Sequence, residues 1–241
     1  MKIMEKITAK AKNNWENEGV TIAFLGDSVT QGCFELYRKN NGDYETIFDK
    51  NNAYHAHLAK IFSVLYPNVP FNMINAGISG GSAPHGRDRL ERDVIMHHPD
   101  LTVVCFGLND AGGGPEKVSI YAEALADIFR RLKEEEIEII FMTPNMMATE
   151  VSCHLPDEGQ RKIAEGSTKV QLDGWLDLYI EEAKKVCAAY DVPVCDCYQK
   201  WKTLYENGVE ITELLANKIN HPTREMNMLF AASLVETMMK K

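Results

Sequence analysis

A serine placed directly behind a buried strand can serve as a nucleophile. The sequence offers one in Gly26-Asp27-Ser28-Val29-Thr30-Gln31-Gly32, which follows the apolar run at residues 20–25. A short apolar run ending in Gly-Asp-Ser predicts a strand that stops at a sharp turn. The glycine permits that turn and a close approach of backbone. Ser28 then lies at the carboxyl end of the strand, where open α/β sheets bind their ligands. Asp and Ser are also ordinary turn residues, so the chemistry of Ser28 depends on what else the chain brings to it.

Hydrolysis by a serine needs a base and donors for the developing oxyanion. Two more apolar runs end in turn-rich segments: residues 69–74 precede Asn75-Ala76-Gly77-Ile78-Ser79-Gly80-Gly81-Ser82, and residues 101–106 precede Gly107-Leu108-Asn109-Asp110. Parallel strands put all three ends on one sheet edge. The backbone amides of Ser28 and Gly80 and the side-chain amide of Asn109 would then supply three oxyanion donors. Histidine is the base suited to neutral pH. His221, in Asn220-His221-Pro222 ahead of a terminal helix, is the first candidate, because proline in a helix's first turn leaves the preceding residue on a loop. His85 and His154, also in loops, stay as rivals. His55 and His57 are two apart and point to different sides of a helix, while His97-His98 closes one and suits its dipole. No metal site is predicted. Asp27 and Asp110 are read as hydrogen-bonding amides of their own turns, and Arg89 as part of a surface ion pair.

The elements that must position these residues follow from periodicity. Strands are predicted at 20–25, 69–74, 101–106, 137–142 and 192–195. Helices are predicted at 53–66, 87–96, 118–132, 172–190, 198–206 and 222–240. Short strands apolar on both faces, alternating with helices, require a parallel sheet covered on both sides with right-handed crossovers. The expected fold is α/β: a three-layer α/β/α sandwich on a five-stranded parallel, flavodoxin-like sheet, forming one catalytic domain over residues 1–241. Residues 31–51 read as a polar loop beside Ser28. Residues 145–167, with Met146, Met147 and His154, read as a long irregular stretch able to cover a site.

Composition narrows the function classes. A formal charge of −9 and a pI near 5.3 argue against nucleic acid or an acidic membrane surface as partner. No stretch approaches the ~18 apolar residues of a membrane span, and residues 1–14 lack the apolar core of a signal peptide. The six cysteines are scattered, and Cys195-Asp196-Cys197 has no second pair to complete a zinc site. Cys105 and Cys187 fall on apolar faces. A cytoplasmic chain with reduced thiols is expected, with a removed signal peptide left open and no indication of oligomeric state.

With these residues in place, the chain resembles the SGNH (GDSL-type) hydrolase family over nearly its whole length. Gly26-Asp27-Ser28 matches the first block of that family, and Gly80 in Asn75-Ala76-Gly77-Ile78-Ser79-Gly80 the second. Gly107-Leu108-Asn109-Asp110 matches the third, and His221 stands where the fifth block has its histidine. The resemblance implies Ser28 as nucleophile, His221 as base, Gly80 and Asn109 completing the oxyanion hole with Ser28, no cofactor, and a small-molecule ester as substrate. One position departs: the family places an aspartate three residues before the histidine, and here that residue is Lys218. His221 must then be oriented by a backbone carbonyl near Lys218 or by a carboxylate from elsewhere. A short-chain or carbohydrate O-acetyl ester is expected, since no exposed apolar stripe announces an acyl tunnel. The alternatives are a lysophospholipase or thioesterase, with Met146 and Met147 lining an apolar groove, and a non-catalytic carbohydrate-binding protein on the same scaffold, which Lys218 would favour.

Overall fold

The computed structural model describes residues 1–240. In chain order its elements are α1 (Lys2–Lys12), β1 (Val20–Gly26), α2 (Ser28–Gln31), β2 (Cys33–Arg38), β3 (Tyr44–Phe48), α3 (Tyr54–Leu65), β4 (Phe71–Gly77), α4 (Ala83–Asp88), α5 (Leu90–Asp93), β5 (Leu101–Cys105), α6 (Leu108–Ala111), α7 (Val118–Glu134), β6 (Glu138–Met142), α8 (Glu158–Leu172), α9 (Trp175–Ala189), β7 (Val194–Cys195), α10 (Cys197–Glu206) and α11 (Asn227–Met239). The main sheet has the order β4-β1-β5-β6-β7, and every pairing in it is parallel. β5 is buried along its whole length, as a central strand covered on both faces must be. Helix α3 packs on α11, while α4 packs on α7 and α7 on α9, which gives the two outer layers. Phe24, Phe106, Phe129, Phe141 and Trp201 are fully buried between them, each worth about 1.5–3 kcal/mol relative to exposure. This is the flavodoxin-like three-layer order, and the strand order reverses beside β1. Open α/β sheets bind ligands at that reversal, and Ser28 follows it.

Several expectations are corrected. Residues 31–51 are not a loop but contain the antiparallel pair β2–β3, set apart from the main sheet. The pair is turned at 39–43, where Lys39 N donates to Asp43 O and Gly42 takes φ +92°. Only Cys33, Phe34 and Thr46 in it are buried, so it lacks the apolar alternation that marks a strand. The helix expected at 87–96 is broken into α4 and α5 with a 3₁₀ turn at Ile95–His97. The break falls at Arg89, which is only 9% exposed. Its guanidinium donates to Ala76 O at 2.6 Å and Gly26 O at 2.8 Å while pairing with Asp93. Arg89 therefore spans the ends of β4 and β1 and is not a surface ion pair.

The irregular stretch expected at 145–167 ends at Asp157, whose side chain caps α8 by accepting from Gln160 N. Met146 and Met147 lie in the core at 3% exposure and line no groove. Within residues 1–14, for which no element is predicted, α1 forms and buries Ile3 and Ile7 four residues apart on one face. The terminal helix begins at Asn227 rather than at 222. The residues before it are turns, tied by a bridge between Leu215 and Pro222. Among the described residues, no helix is long and apolar enough to cross a membrane.

Candidate active site

Ser28 opens the short helix α2 immediately after β1, and the side chain of Asp27 caps that helix by accepting from Val29 N at 3.0 Å. The helix sits directly on the strand ends because two glycines leave room for it. A Cβ on Gly26 would meet Thr30 Oγ1 at 2.1 Å, and one on Gly77 would meet Gln31 N at 2.3 Å. Both distances are shorter than any real contact, so a side chain at either position would push α2 off the sheet.

The segment after β4 is pinned at three points. Ile78 N donates to Gly26 O, Ser79 N to Gln31 Oε1 at 2.7 Å, and Gly81 N to Ile78 O. Gly80 adopts φ +74°, a conformation glycine reaches without cost. Among the described residues, neither the Ser28 nor the Gly80 amide donates to another protein group. Asn109, on α6 behind β5, donates one Nδ2 hydrogen to Gly81 O at 2.8 Å, which ties its amide to the Gly80–Gly81 backbone. The other Nδ2 hydrogen stays available. Asp110 Oδ1 accepts from Ala83 N at 2.9 Å, so this carboxylate fastens a neighbouring segment as well as facing the Gly107 and Asp110 amides of its own turn. Asp27 also serves its own turn.

His221 meets Ser28 from the far end of the chain. Its Nε2 lies 2.9 Å from Ser28 Oγ, and its Nδ1 lies 2.9 Å from Phe34 O on β2. A carbonyl oxygen only accepts, so Nδ1 carries the ring proton. The neutral ring then presents Nε2 as the acceptor for the Ser28 hydroxyl. The orienting group is thus a backbone carbonyl, but it comes from β2 and not from the neighbourhood of Lys218. Lys218 takes φ +57° and extends its ammonium to Glu213 Oε2 at 2.8 Å. The imidazole is buried, and burial lowers its pKa below the ordinary histidine value, outweighing the upward pull of the Phe34 carbonyl and Glu35. A neutral base at neutral pH is the consequence.

The loop carrying His221 is built on Asn217. Its Oδ1 accepts from the amides of Ile219, Asn220 and His221 at 3.0, 2.9 and 2.9 Å. Asn145, at the end of β6, holds the same loop through Asn220 O at 2.9 Å. Beneath the site, burial pushes the Asp27 carboxyl up to about 7 and that of Asp110 up to about 6.

Ser28, Gly80, Asn109 and His221 therefore come together at one sheet edge. His85 and His154 do not: both are exposed, and the ring of His85 bonds Ser82. Sequence reasoning missed Phe34, Asn217, Asn145 and Arg89. A main-chain carbonyl leaves no trace in residue type, so Phe34 carried no signal. Asn217 carried one, since asparagine bonds backbone amides a few residues on.

Comparison with known proteins bears on this arrangement. The model of the GDSL-like Lipase/Acylhydrolase family matches residues 24–229. An acetylxylan esterase of Geobacillus stearothermophilus is 29% identical over 92 residues, a match covering 38% of this chain and 40% of that relative. Solved structures share the fold. The lipase/acylhydrolase from Enterococcus faecalis superposes with a TM-score of 0.66 at 22% identity, over 90% of this chain and 94% of that one. A Geobacillus stearothermophilus acetylxylan esterase superposes with a TM-score of 0.68 at 21% identity, over 93% and 96%.

Proposed function

The chain belongs to the GDSL-like lipase/acylhydrolase family, and from that premise we propose that it is a serine esterase working through an acyl-enzyme on short-chain, carbohydrate O-acetyl esters. The observation that carries the reading is the relay from Ser28 Oγ to His221 Nε2 and from His221 Nδ1 to Phe34 O, both at 2.9 Å. As the Ser28 oxygen attacks the ester carbonyl, its proton passes to Nε2. The resulting imidazolium keeps its Nδ1 proton on the Phe34 carbonyl. The tetrahedral oxyanion takes hydrogen bonds from the Ser28 and Gly80 amides and the remaining Asn109 hydrogen, and each such donor is worth about 2.7–4 kcal/mol in the transition state. His221 protonates the leaving alcohol as the C–O bond breaks, which leaves an acylated Ser28. Water then attacks the acyl-enzyme, giving its proton to His221, and Ser28 regains that proton as the acid departs.

The acetyl reading is supported by two features. Met146 and Met147 are packed in the core, so they offer no lining for a long acyl chain. A relative 29% identical over 92 residues is named an acetylxylan esterase. Hydrolysis of p-nitrophenyl acetate against p-nitrophenyl octanoate tests this. A kcat/KM preference for acetate of at least about tenfold, corresponding to 1.4 kcal/mol, is expected. A preference for octanoate refutes the short-chain assignment, and acetate turnover unchanged in Ser28→Ala refutes the mechanism.

A further inference from the structure

The orienting carbonyl of Phe34 lies on a two-stranded ribbon outside the main sheet, so something must hold that ribbon against the histidine. Arg224, three residues past His221, makes the connection. Its Nη1 and Nη2 donate to the two oxygens of Glu35 at 2.6 and 3.1 Å, and its Nε donates to Asp49 Oδ2 at 2.7 Å. The guanidinium also lies 4.3 Å from the centroid of the Phe34 ring. Glu35 is the next residue after the orienting carbonyl. Asp49 is latched to the nucleophile, because its amide donates to Gly32 O at 2.8 Å and Gly32 N donates to Ser28 O at 3.1 Å.

One planar cation thus touches the strand that orients the base, the segment anchored to the nucleophile helix, and the base's own loop. A rigid fork bonded to one carboxylate by both nitrogens fixes direction as well as distance, which an ammonium does not. The three side chains are 31%, 39% and 26% exposed, so ion pairs of this kind add little to global stability. Geometry is what the cluster supplies.

We propose that Arg224 is the positioning residue of the Ser28–His221 pair, holding the Phe34 carbonyl on His221 Nδ1 in place of an acid at position 218. The proposal rests on the reading of Ser28 and His221 as the reacting pair. Without the fork, β2 drifts from the His221 loop, the ring loses its fixed orientation, and the Ser28 hydroxyl loses its acceptor. Misplacing a reacting group by about 1 Å costs on the order of 10²-fold in rate. Arg224 also neutralises Glu35, whose carboxyl it holds below the usual range. Among the charged neighbours, Glu35 is the one that acts on His221; Asp49 and His57 face Arg224 behind it. Removing the guanidinium frees the Glu35 charge and raises the pKa of His221.

The test uses the full chain with p-nitrophenyl acetate, in Arg224→Ala, Arg224→Lys and Glu35→Gln. Arg130→Ala, which removes an exposed pair on α7, is the control expected to leave kcat unchanged. In Arg224→Ala, kcat is expected to fall by about 30- to 100-fold with KM within about twofold, as for an interaction felt mainly in the transition state. The acidic limb of its pH profile is expected to move upward. Arg224→Lys should lose less, and millimolar guanidinium ion should restore part of the Arg224→Ala activity. If Arg224→Ala does not fold, Glu35→Gln and Arg224→Lys carry the test, each with kcat lowered about 5- to 20-fold and KM kept. A kcat within about threefold of wild type in the folded variants, or a loss that only follows the folded fraction by circular dichroism, overturns the proposal. Labelling of wild-type Ser28 by a fluorophosphonate separates the two readings. A labelled wild type with an undiminished Arg224→Ala removes only the role of Arg224, whereas an unlabelled wild type removes the reacting pair and this proposal with it.

Discussion

Replacing Asp27 with asparagine tests how the nucleophile's turn is built, because asparagine keeps the acceptor for Val29 N and the side-chain volume but can never ionise. Asp27 is 1% exposed and bonds Val29 N at 3.0 Å. Burial raises its carboxyl from 3.8 to about 7, with Asp110 adding to the rise and the Val29 amide opposing it. A folded-state value above the unfolded one means the native protein holds the proton more tightly. The stability this contributes is fully present below pH 3.8 and is lost as pH rises through about 7. Integrating between pH 5 and pH 8 with those two values gives a loss of about 2–3 kcal/mol that wild type suffers and Asp27→Asn does not. For a chain of this size that is roughly 5–10 °C in Tm. The buried histidines contribute a dependence of the opposite sign, but they are common to both proteins and cancel in the difference. Thermal denaturation followed by circular dichroism at pH 5, 6.5 and 8 reads it: Tm of Asp27→Asn should gain on wild type steadily across the series. Parallel curves over that range would refute an ionising carboxyl buried beneath Ser28.

Three further outcomes follow from the site. Asn109→Ala should lower kcat on p-nitrophenyl acetate by about 10²–10³-fold with KM little changed, the usual cost of an oxyanion donor; steady-state kinetics check it, and a loss confined to KM would place the amide in ground-state binding. Lys218→Asp should give no more than about a threefold gain in kcat, because His221 Nδ1 is already committed to Phe34 O; a tenfold gain would mean that the carbonyl is not the orienting group. The base must be neutral to accept a proton, and burial lowers its pKa, so kcat/KM should fall only as pH drops below the ordinary histidine value of about 6.5. A midpoint above that value in the pH–rate profile contradicts the buried, carbonyl-oriented imidazole.

The parallel sheet and the four residues at its edge were legible because each strand is a short apolar run that stops at a turn-forming segment. Topology alone then brings Ser28, Gly80 and Asn109 together, whatever their separation in sequence. What escaped was structure whose signal is not side-chain hydrophobicity. The β2–β3 ribbon carries few buried residues and reads as polar chain, yet it supplies the carbonyl that orients the base. Arg89 looks like any charged helical residue until its guanidinium is seen to reach the carbonyls of Gly26 and Ala76 at the strand ends. Lys218 signalled that no acid stands at that position, and its ammonium bonds Glu213. The replacement could not be inferred from neighbours in sequence, since Phe34 precedes His221 by most of the chain. Met146 and Met147 show the limit of residue type alone: two adjacent methionines after a strand suit a groove or a core, and their burial places them in the core.

The most direct measurement is stoichiometric labelling by a fluorophosphonate, with the adduct located by peptide mass spectrometry, in wild type, Ser28→Ala and His221→Ala. A single adduct on Ser28 in wild type, none in Ser28→Ala and labelling slowed by at least about 10³-fold in His221→Ala is the predicted result. Labelling of Ser28 at an equal rate in His221→Ala, or an adduct on another residue accompanied by loss of activity, would contradict the assignment of these two residues as nucleophile and base.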